Sequence, residues 1–321
     1  MAGEFESKIR SWTLTLPYGP GIQETNTQIE HLAEDLFDEY EPTRGPYPQF
    51  WQRLGSWIAN VPDDLDQRTM FEFVPHLFFV GPREMEILHR VAFNTNVARW
   101  LIQQMGMLLD DPESEQKLAE AVRRTWFCPI TDSMRINGFY HLNHITGRDY
   151  RPDWRSLQKF GSTGKLLEFI AAEHIERIVL IEDFIGSGEQ AGNAMKFAAG
   201  LGLPLLIVPL IVCPPGVDAG AVLQADFPNL TFDPVLPLSR AAFVTPDPVH
   251  GEVPIFARIR DIATATFDRV KVGAPAYVGA FGFGDTAAVI VLYTNCPDNT
   301  LPMVYSDSAE WEPLFPRASR L

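Results

Sequence analysis

The sequence predicts an α/β protein whose parallel, doubly wound sheet lies between a helical N-terminal region and a C-terminal β-containing extension. Three observations support this fold class. Continuous apolar runs at 177–183 and 203–213 have the composition of strands that are buried on both faces. Segments with helical spacing alternate with these runs, and a β-α-β series predicts a parallel sheet. Residues 1–120 instead space their apolar side chains at three and four, as amphipathic helices do.

The elements follow in order along the chain. Helical spacing in the N-terminal region predicts helices at 29–40, 50–60, 84–110 and 116–124. In the centre, apolar runs predict strands at 126–131, 177–183, 203–213 and 230–236, and helical spacing predicts helices at 165–174, 189–200 and 217–225. A helix at 255–268 and β-like runs at 277–282 and 287–294 follow. We therefore predict a mainly helical region at 1–120, an α/β core at 121–240 and an extension at 241–321 that completes the core.

Composition and charge limit the class of protein. The chain has 321 residues, of which 46% are hydrophobic, and this excludes a disordered protein. It carries 26 basic and 41 acidic residues, for a net charge of −15, and contains no long basic run. Strong nucleic-acid binding needs clustered Lys and Arg, so the charge disfavours it. Three scattered cysteines indicate a reducing compartment. We expect a cytoplasmic protein without a signal peptide or a membrane span.

The segment most informative about chemistry is RIVLIEDFIGSGEQ, residues 177–190. A buried strand ends in Glu182 and Asp183, and a glycine-containing turn then leads into a helix. Ligands of open parallel sheets bind beyond the carboxyl ends of the strands. The backbone N–H groups of such a turn and of the helix N-terminus bind phosphate. Two carboxylates accept hydrogen bonds from vicinal hydroxyls, so the pattern indicates a ribose 5-phosphate ligand.

This pattern resembles the signature of the type I phosphoribosyltransferases, whose PRTase-like fold is a Rossmann-like sheet. The resemblance implies that Glu182 and Asp183 hold the ribose hydroxyls of phosphoribosyl pyrophosphate (PRPP). It also implies a 5-phosphate loop formed by Ile185, Gly186, Ser187, Gly188, Glu189 and Gln190. The last two positions are usually small or hydroxylic in that family. The glutamate and the glutamine at these positions weaken the prediction that this loop binds the 5-phosphate tightly.

The same resemblance implies a pyrophosphate loop after an earlier strand, formed by Thr131, Asp132, Ser133 and Arg135. Arg135 would be a catalytic cation for the leaving group, because the departing pyrophosphate carries much negative charge. Mg²⁺ would enter with PRPP, held by its oxygens and water without direct protein ligands. The simpler alternative is that Asp132 and Ser133 cap the next helix, since both residue types are favoured there.

A mobile loop that closes over the reacting centre is also expected, with Ser162 and Lys165 as its functional residues. A plain turn that caps the following helix is equally compatible with this sequence. The segment is not a phosphate-binding GxxxxGK[ST] loop, because Lys159 and Leu166 replace its required residues. On the acceptor side, Asn295 and Asn299 of NCPDNTLP have side chains able to bind a base edge, although such residues also stabilise turns.

Three patches give a narrower resemblance: residues 78–101, 179–190 and 291–317. They are similar to the phosphoribosyltransferase-like proteins of prokaryotic conflict systems, some of which are encoded beside retron reverse transcriptases and winged-helix proteins. That resemblance implies an effector in antiviral defence that transfers or hydrolyses a phosphoribosyl group, with a protein partner of one of those kinds. A second reading is a non-catalytic module that senses PRPP or a nucleotide and acts through such a partner. A third is a scaffold without a ligand.

Overall fold

The computed structural model describes residues 2–45, 47–108, 110–131, 133–145, 162–272 and 278–318. The chain forms two compact units, of which one is Arg83–Leu238 and the other combines Met1–Pro82 with Ser239–Leu321. The predicted boundary at residue 120 assigned the helical residues 84–120 to the N-terminal region. In the structure they belong to the same unit as the sheet, because the helical turn at Ala92–Val97 packs against its central strand.

The first unit begins with four helices: α1 (Ala2–Thr13), α2 (Gly19–Asp35), α3 (Phe50–Ala59) and α4 (Asp64–Phe73). Short 3₁₀ turns lie at Phe37–Glu39, Glu41–Thr43 and Val74–His76, and a strand, β1 (Phe78–Val80), follows. Helix α4 starts where the Asp63 side chain accepts a 3.0 Å hydrogen bond from the backbone N–H of Asp66, which satisfies one of the free donors of its first turn.

The second unit starts with a long helical segment, made of α5 (Pro82–Val91), a π-helical turn (Ala92–Val97) and α6 (Ala98–Met105). The α/β elements follow: α7 (Ser114–Arg123), β2 (Thr125–Pro129), α8 (Ile136–Leu142), α9 (Thr163–Ala172), β3 (Arg177–Ile185), α10 (Glu189–Ala199), β4 (Leu205–Val212), α11 (Pro214–Asp226), β5 (Leu230–Phe232) and β6 (Leu236–Pro237). The single strand predicted at 230–236 is thus two short strands, both of which pair in parallel with β4.

The sheet of this unit is parallel, in the order β2-β3-β4-β5, and β6 extends the edge beside β4. Strand residues alternate between two buried faces. Leu180 lies on the face that packs against α9 and α10, together with Trp126 and Ile207. On the opposite face, the rings of Phe127 in β2 and Phe139 in α8 are 5.8 Å apart. Helices therefore flank the parallel sheet, which confirms the fold class predicted from the sequence.

The C-terminal part of the first unit contains α12 (Ile255–Val270), β7 (Val278–Gly279), β8 (Gly282–Phe283), β9 (Ile290–Leu292) and α13 (Pro302–Tyr305). Strand β9 pairs in parallel with β1, with Phe79 opposite Val291. The mainly helical region predicted at 1–120 thus also contains one short strand, β1, which the sequence analysis did not predict. Three residues are too few to show a periodicity, and the partner strand lies in the C-terminal region.

The C-terminal tail is anchored in the core of the first unit. Phe315 is fully buried, and its ring centroid lies 5.2 Å from those of Phe37 and Tyr40. The indole N–H groups of Trp57 and Trp311 both donate to the carbonyl oxygen of Met303, at 2.6 and 2.8 Å. The tail thus packs as part of the core. Within the described part of the chain, no helix is both long and apolar enough to cross a membrane.

Candidate functional site

Two adjacent acids lie near the carboxyl end of β3. Glu182 is 2% exposed and Asp183 is 7% exposed, so each carboxyl group is almost wholly removed from water. Ionised carboxylates are rarely this buried unless partners satisfy them. Both stand close to the carboxyl ends of the strands, beyond which an open parallel sheet binds its ligands. Their burial therefore points to a site.

The partners come from the loop that follows β2. The backbone N–H of Ile130 donates to the carbonyl oxygen of Ile181 at 3.0 Å and holds this loop beside β3. The backbone N–H of Thr131 donates to Glu182 Oε2 at 2.8 Å, and the Thr131 hydroxyl donates to Glu182 Oε1. The Ser133 hydroxyl lies 3.1 Å from both Glu182 Oε1 and Asp183 Oδ1. The structure thus brings together two residues of the predicted pyrophosphate loop and the two acids of β3.

The two hydroxyl groups of this loop make more contacts with other oxygen atoms than their two hydrogen atoms can fill as hydrogen bonds. Thr131 Oγ1 lies 2.6 Å from Ser133 Oγ and also contacts Glu182, while Ser133 Oγ contacts both acids. Two hydroxyl hydrogens cannot fill all of these contacts, and a proton on Glu182 supplies a further donor. Burial, followed by the neighbouring charge of Asp183, raises the pKa of Glu182 to about 8. Proton supply and electrostatics therefore both favour a neutral Glu182 at neutral pH.

The predicted phosphate loop joins β3 to α10. The backbone N–H of Cys213 donates to the carbonyl oxygen of Ile185 at 2.9 Å, so the loop starts from paired backbone. Gly188 has φ +83°, a left-handed conformation that suits glycine, and it directly precedes α10. The first N–H groups of any helix lack partners within that helix and can bind an anion. The Glu189 side chain is exposed, whereas the side chain of Gln190 lies outside the described residues.

Helix α11 supports this loop from behind. A Cβ atom on Gly216 would lie 2.8 Å from the carbonyl oxygen of Gly186 and 2.9 Å from Ile185 Cγ2. A Cβ on Gly188 would lie 3.0 Å from that of Ala219. The sequence analysis did not single out Gly216. The available signal was the Pro-Pro-Gly at the start of the helix after β4, where a small residue permits close approach of the loop.

The structure describes three of the four other residues predicted for the site in this unit. Arg135 directly precedes α8 and is exposed. Ser162 accepts a 3.2 Å hydrogen bond from the backbone N–H of Lys165 and so caps α9, and both side chains are exposed. Asp132, also predicted for the pyrophosphate loop, lies outside the described residues. The roles of Arg135, Ser162 and Lys165 in ligand binding stay predictions.

The two predicted acceptor-side residues belong to the first unit, and both amides bind their own chain. Asn295 Nδ2 donates to the carbonyl oxygen of Ala318 at 3.0 Å, and its Oδ1 accepts from the backbone N–H of Ala318 at 3.1 Å. Asn299 is buried, and its Nδ2 donates to the carbonyl oxygen of Phe283 at 3.1 Å and to Thr286 Oγ1 at 3.0 Å. These contacts fit the structural alternative for the turn. An acceptor-binding role of either amide stays a prediction.

Comparison with protein families gives an independent assignment. The family model described as PRTase-CE matches residues 54–317, which include the sheet, both loops and the two acids. The chain belongs to the PRTase-CE family. It is therefore a phosphoribosyltransferase-like protein, and helices α1 and α2 lie outside the matched range. Comparisons with curated proteins and with solved structures find no match.

The oxygen atoms at the site fit the Mg²⁺ that the phosphoribosyltransferase fold implies. The side chains of Thr131, Ser133, Glu182 and Asp183 present oxygens, the donor type that Mg²⁺ prefers. Among the residues that the structure describes, no group of three His, Cys, Asp or Glu side chains is placed to hold a metal ion. Binding of Mg²⁺ together with PRPP stays a prediction.

Proposed function

We propose that this PRTase-CE protein binds PRPP and transfers its phosphoribosyl group to an acceptor. The observation that carries the proposal is the pair of buried acids, Glu182 and Asp183, directly before a glycine loop and a helix N-terminus. A ribose 5-phosphate has a diol and a phosphate to match these two features. The family assignment supports the same ligand class.

In this proposal, the residues position the ribose and stabilise the leaving group. Glu182 and Asp183 accept hydrogen bonds from the ribose hydroxyls, while the backbone of residues 186–188 and the start of α10 hold the 5-phosphate. The bond between C1 and the diphosphate oxygen breaks, and its electron pair leaves with the pyrophosphate. A lone pair of the acceptor then forms the new bond at C1. With water as acceptor, the products are ribose 5-phosphate, pyrophosphate and a proton.

Arg135 is the proposed cation for the departing charge. It lies at the end of the loop whose other members contact the acids, and its exposed side chain is accessible to a diphosphate. Preorganised positive charge near a leaving group stabilises the transition state. Bound Mg²⁺ would add positive charge to the same diphosphate. The residues of this chain contribute position and electrostatics, which are the main requirements of such a transfer.

A non-catalytic sensor of PRPP or a nucleotide is the second candidate, and one observation favours it. The phosphate loop ends in Glu189 and Gln190, where the phosphoribosyltransferase pattern has small or hydroxylic residues. The Glu189 carboxylate is exposed, so it is not buried against the loop. A sensor would keep the pocket and act through a protein partner. We propose a reverse transcriptase or a winged-helix protein for that role, on the resemblance of the three sequence patches to conflict-system proteins.

That resemblance also extends the proposal to an effector role in antiviral defence. The biological test is plaque formation by phages on cells that express the whole system with either the wild-type protein or Asp183→Asn. Loss of protection in the variant would support a ligand-dependent effector. Equal protection would reject a defence role that depends on the acids.

The biochemical test is release of pyrophosphate from PRPP in the presence of Mg²⁺, with and without candidate acceptors such as nucleobases, nucleotides and nucleic-acid ends. We expect release by the wild-type protein and none by Asp183→Asn. An Asp226→Asn variant is a matched control, since that aspartate is exposed at the end of α11. Binding of PRPP without release under all conditions would reject the transferase and leave the sensor.

A further inference from the structure

The hydroxyl groups of Thr131 and Ser133 form a pair that resembles a sugar diol. Their oxygens lie 2.6 Å apart, similar to the spacing of two cis hydroxyls on adjacent ring carbons. The first hydroxyl contacts Glu182 Oε1, and the second lies 3.1 Å from Glu182 Oε1 and from Asp183 Oδ1. Each acid is therefore already in contact with a hydroxyl of the protein itself.

The acids have little capacity to accept a second pair of hydroxyls at the same time. Glu182 Oε2 accepts the backbone N–H of Thr131 at 2.8 Å, and Asp183 Oδ1 also accepts the backbone N–H of Phe184 at 2.8 Å. Both carboxyl groups are almost fully buried, which leaves little room for a sugar alongside the loop. A diol that reaches these oxygens must take the positions of the two loop hydroxyls.

We infer that Thr131 and Ser133 occupy the diol site of the free protein, so that a ribose ligand binds by displacing their hydroxyls. The inference rests on the proposed function, because it concerns the same two acids. In this inference the loop after β2 competes with the ribose for the two acids. The observed affinity for the ribose is then set by the difference between the binding of the ribose and the binding of the loop hydroxyls. Ligand binding is then coupled to a change in this loop.

The displaced hydroxyls gain a second use. The loop that carries them also carries Arg135, the proposed cation for the diphosphate. Once a ribose has taken the acids, the Thr131 and Ser133 hydroxyls are free to donate to diphosphate oxygens. Ribose binding would thereby organise the leaving-group side of the site. A ligand that lacks a diphosphate, such as ribose 5-phosphate, pays the cost of displacement without this compensation.

Ribose 5-phosphate is therefore the probe that isolates the competition. We expect Ser133→Ala to bind it roughly tenfold more tightly than the wild-type protein in calorimetric titration, because a hydrogen bond to a charged group in the free state is lost. For PRPP the gain should be smaller, since the variant also loses a donor to the diphosphate. Ser133→Thr keeps a hydroxyl and should restore wild-type affinity. Ser187→Ala, in the phosphate loop, should change affinity in the opposite direction.

Thr131→Val provides a second test if Ser133→Ala does not fold, as judged by circular dichroism and thermal unfolding. Asp183→Asn separates the inference from the proposed function. The proposed function stands if the wild-type protein binds ribose 5-phosphate and Asp183→Asn does not. The competition is nevertheless disproved if, in the same experiment, Ser133→Ala and Thr131→Val bind ribose 5-phosphate no more tightly than the wild-type protein. If none of the proteins binds ribose 5-phosphate or PRPP, both are overturned. Binding of ribose 5-phosphate by Ser133→Ala and Thr131→Val, but not by the wild-type protein, would support the competition directly.

Discussion

The backbone N–H of Thr131 donates a 2.8 Å hydrogen bond to Glu182 Oε2, so the loop after β2 is fastened to the acid at the end of β3. Main-chain contacts of this kind do not depend on the identity of the side chain that donates. The carboxyl group therefore fixes the position of the loop even when the hydroxyls of that loop are replaced. Because Glu182 holds the loop through this hydrogen bond, its ionisation affects both the stability of the protein and the geometry of the site.

A first prediction concerns pH and stability. Burial and the charge of Asp183 raise the pKa of Glu182 from 4.5 to about 8, so the folded state binds this proton more tightly than the unfolded state. The resulting stabilisation is complete below about pH 4.5 and is lost as the pH rises through about 8. The free energy of unfolding of the wild-type protein should therefore fall across this window.

Glu182→Gln should remove that dependence, because the amide is neutral at every pH in the window. Urea unfolding at pH 5, 7 and 9 measures the effect. Glu168→Gln is the matched control, since this glutamate is exposed on α9 and should leave the pH profile of the wild-type protein unchanged. Parallel pH profiles of the free energy of unfolding for the wild-type protein and Glu182→Gln would contradict the claim that Glu182 is protonated in the folded protein.

A second prediction concerns the packing behind the phosphate loop. In Gly216→Ala, the new Cβ would lie 2.8 Å from the carbonyl oxygen of Gly186 and also 2.8 Å from Val212 Cγ2, so the loop must shift. We expect a loss of about 1–3 kcal/mol in the free energy of unfolding and weaker binding of ribose 5-phosphate. Thermal unfolding and calorimetric titration measure the two effects.

Gly192→Ala is the control for this substitution. Gly192 lies inside α10, and a Cβ there would meet no atom within 4 Å. Alanine at such a helical position should stabilise the protein by roughly 0.5–1 kcal/mol and leave ligand affinity unchanged. Equal effects of the two substitutions would mean that the close approach of α11 to the loop is unimportant.

A third prediction concerns the anchor of the C-terminal tail. The buried Tyr40 hydroxyl donates to the carbonyl oxygen of Pro316 at 2.9 Å and accepts from the backbone N–H of Cys296 at 3.0 Å. Burial raises the pKa of Tyr40, so the hydroxyl remains a donor. Tyr40→Phe leaves buried backbone groups without this partner and should cost about 1–3 kcal/mol in urea unfolding. Tyr47→Phe, whose hydroxyl contacts only Asp307 among the contacts described, should change stability by about 0.5 kcal/mol or less.

A fourth prediction separates the two ends of the ligand. Arg135→Ala removes the proposed cation for the diphosphate, so affinity for PRPP should fall roughly tenfold, as expected for the loss of one charge-assisted contact. Affinity for ribose 5-phosphate, which has no diphosphate, should remain within about twofold of the wild type on the same scale. A similar loss of affinity for both ligands would mean that Arg135 contacts another part of the ligand or stabilises the loop.

The sequence predicted the central elements closely because each is a buried apolar run or a helix with a clear start. The strand predicted at 177–183 is extended by two residues to Ile185 in the structure, and the helix predicted at 189–200 ends at Ala199. Strand β1 was missed, since a three-residue strand is defined by its partner and not by its own pattern. The π-helical turn at Ala92–Val97 was also missed, because its residues continue the helical spacing around it.

The candidate site was predictable as a set of loops but not as a set of contacts. The strand–turn–helix pattern located Glu182, Asp183 and the glycine loop. The contact of Ser133 with both acids depends on β2 lying beside β3, and strand order cannot be read from a single chain. The close approach of Gly216 to Gly186 likewise depends on how α11 packs after β4.

The central claim is that the two buried acids of β3 hold the ribose of PRPP, and calorimetric titration with PRPP and Mg²⁺ tests it most directly. We expect saturable binding by the wild-type protein, the same affinity for Asp226→Asn, and a loss of at least about tenfold for Asp183→Asn, because a carboxylate that accepts ligand hydroxyls is replaced by an amide. Equal affinity of Asp183→Asn and the wild type would contradict the claim, as would the absence of binding by a folded wild-type protein at millimolar PRPP.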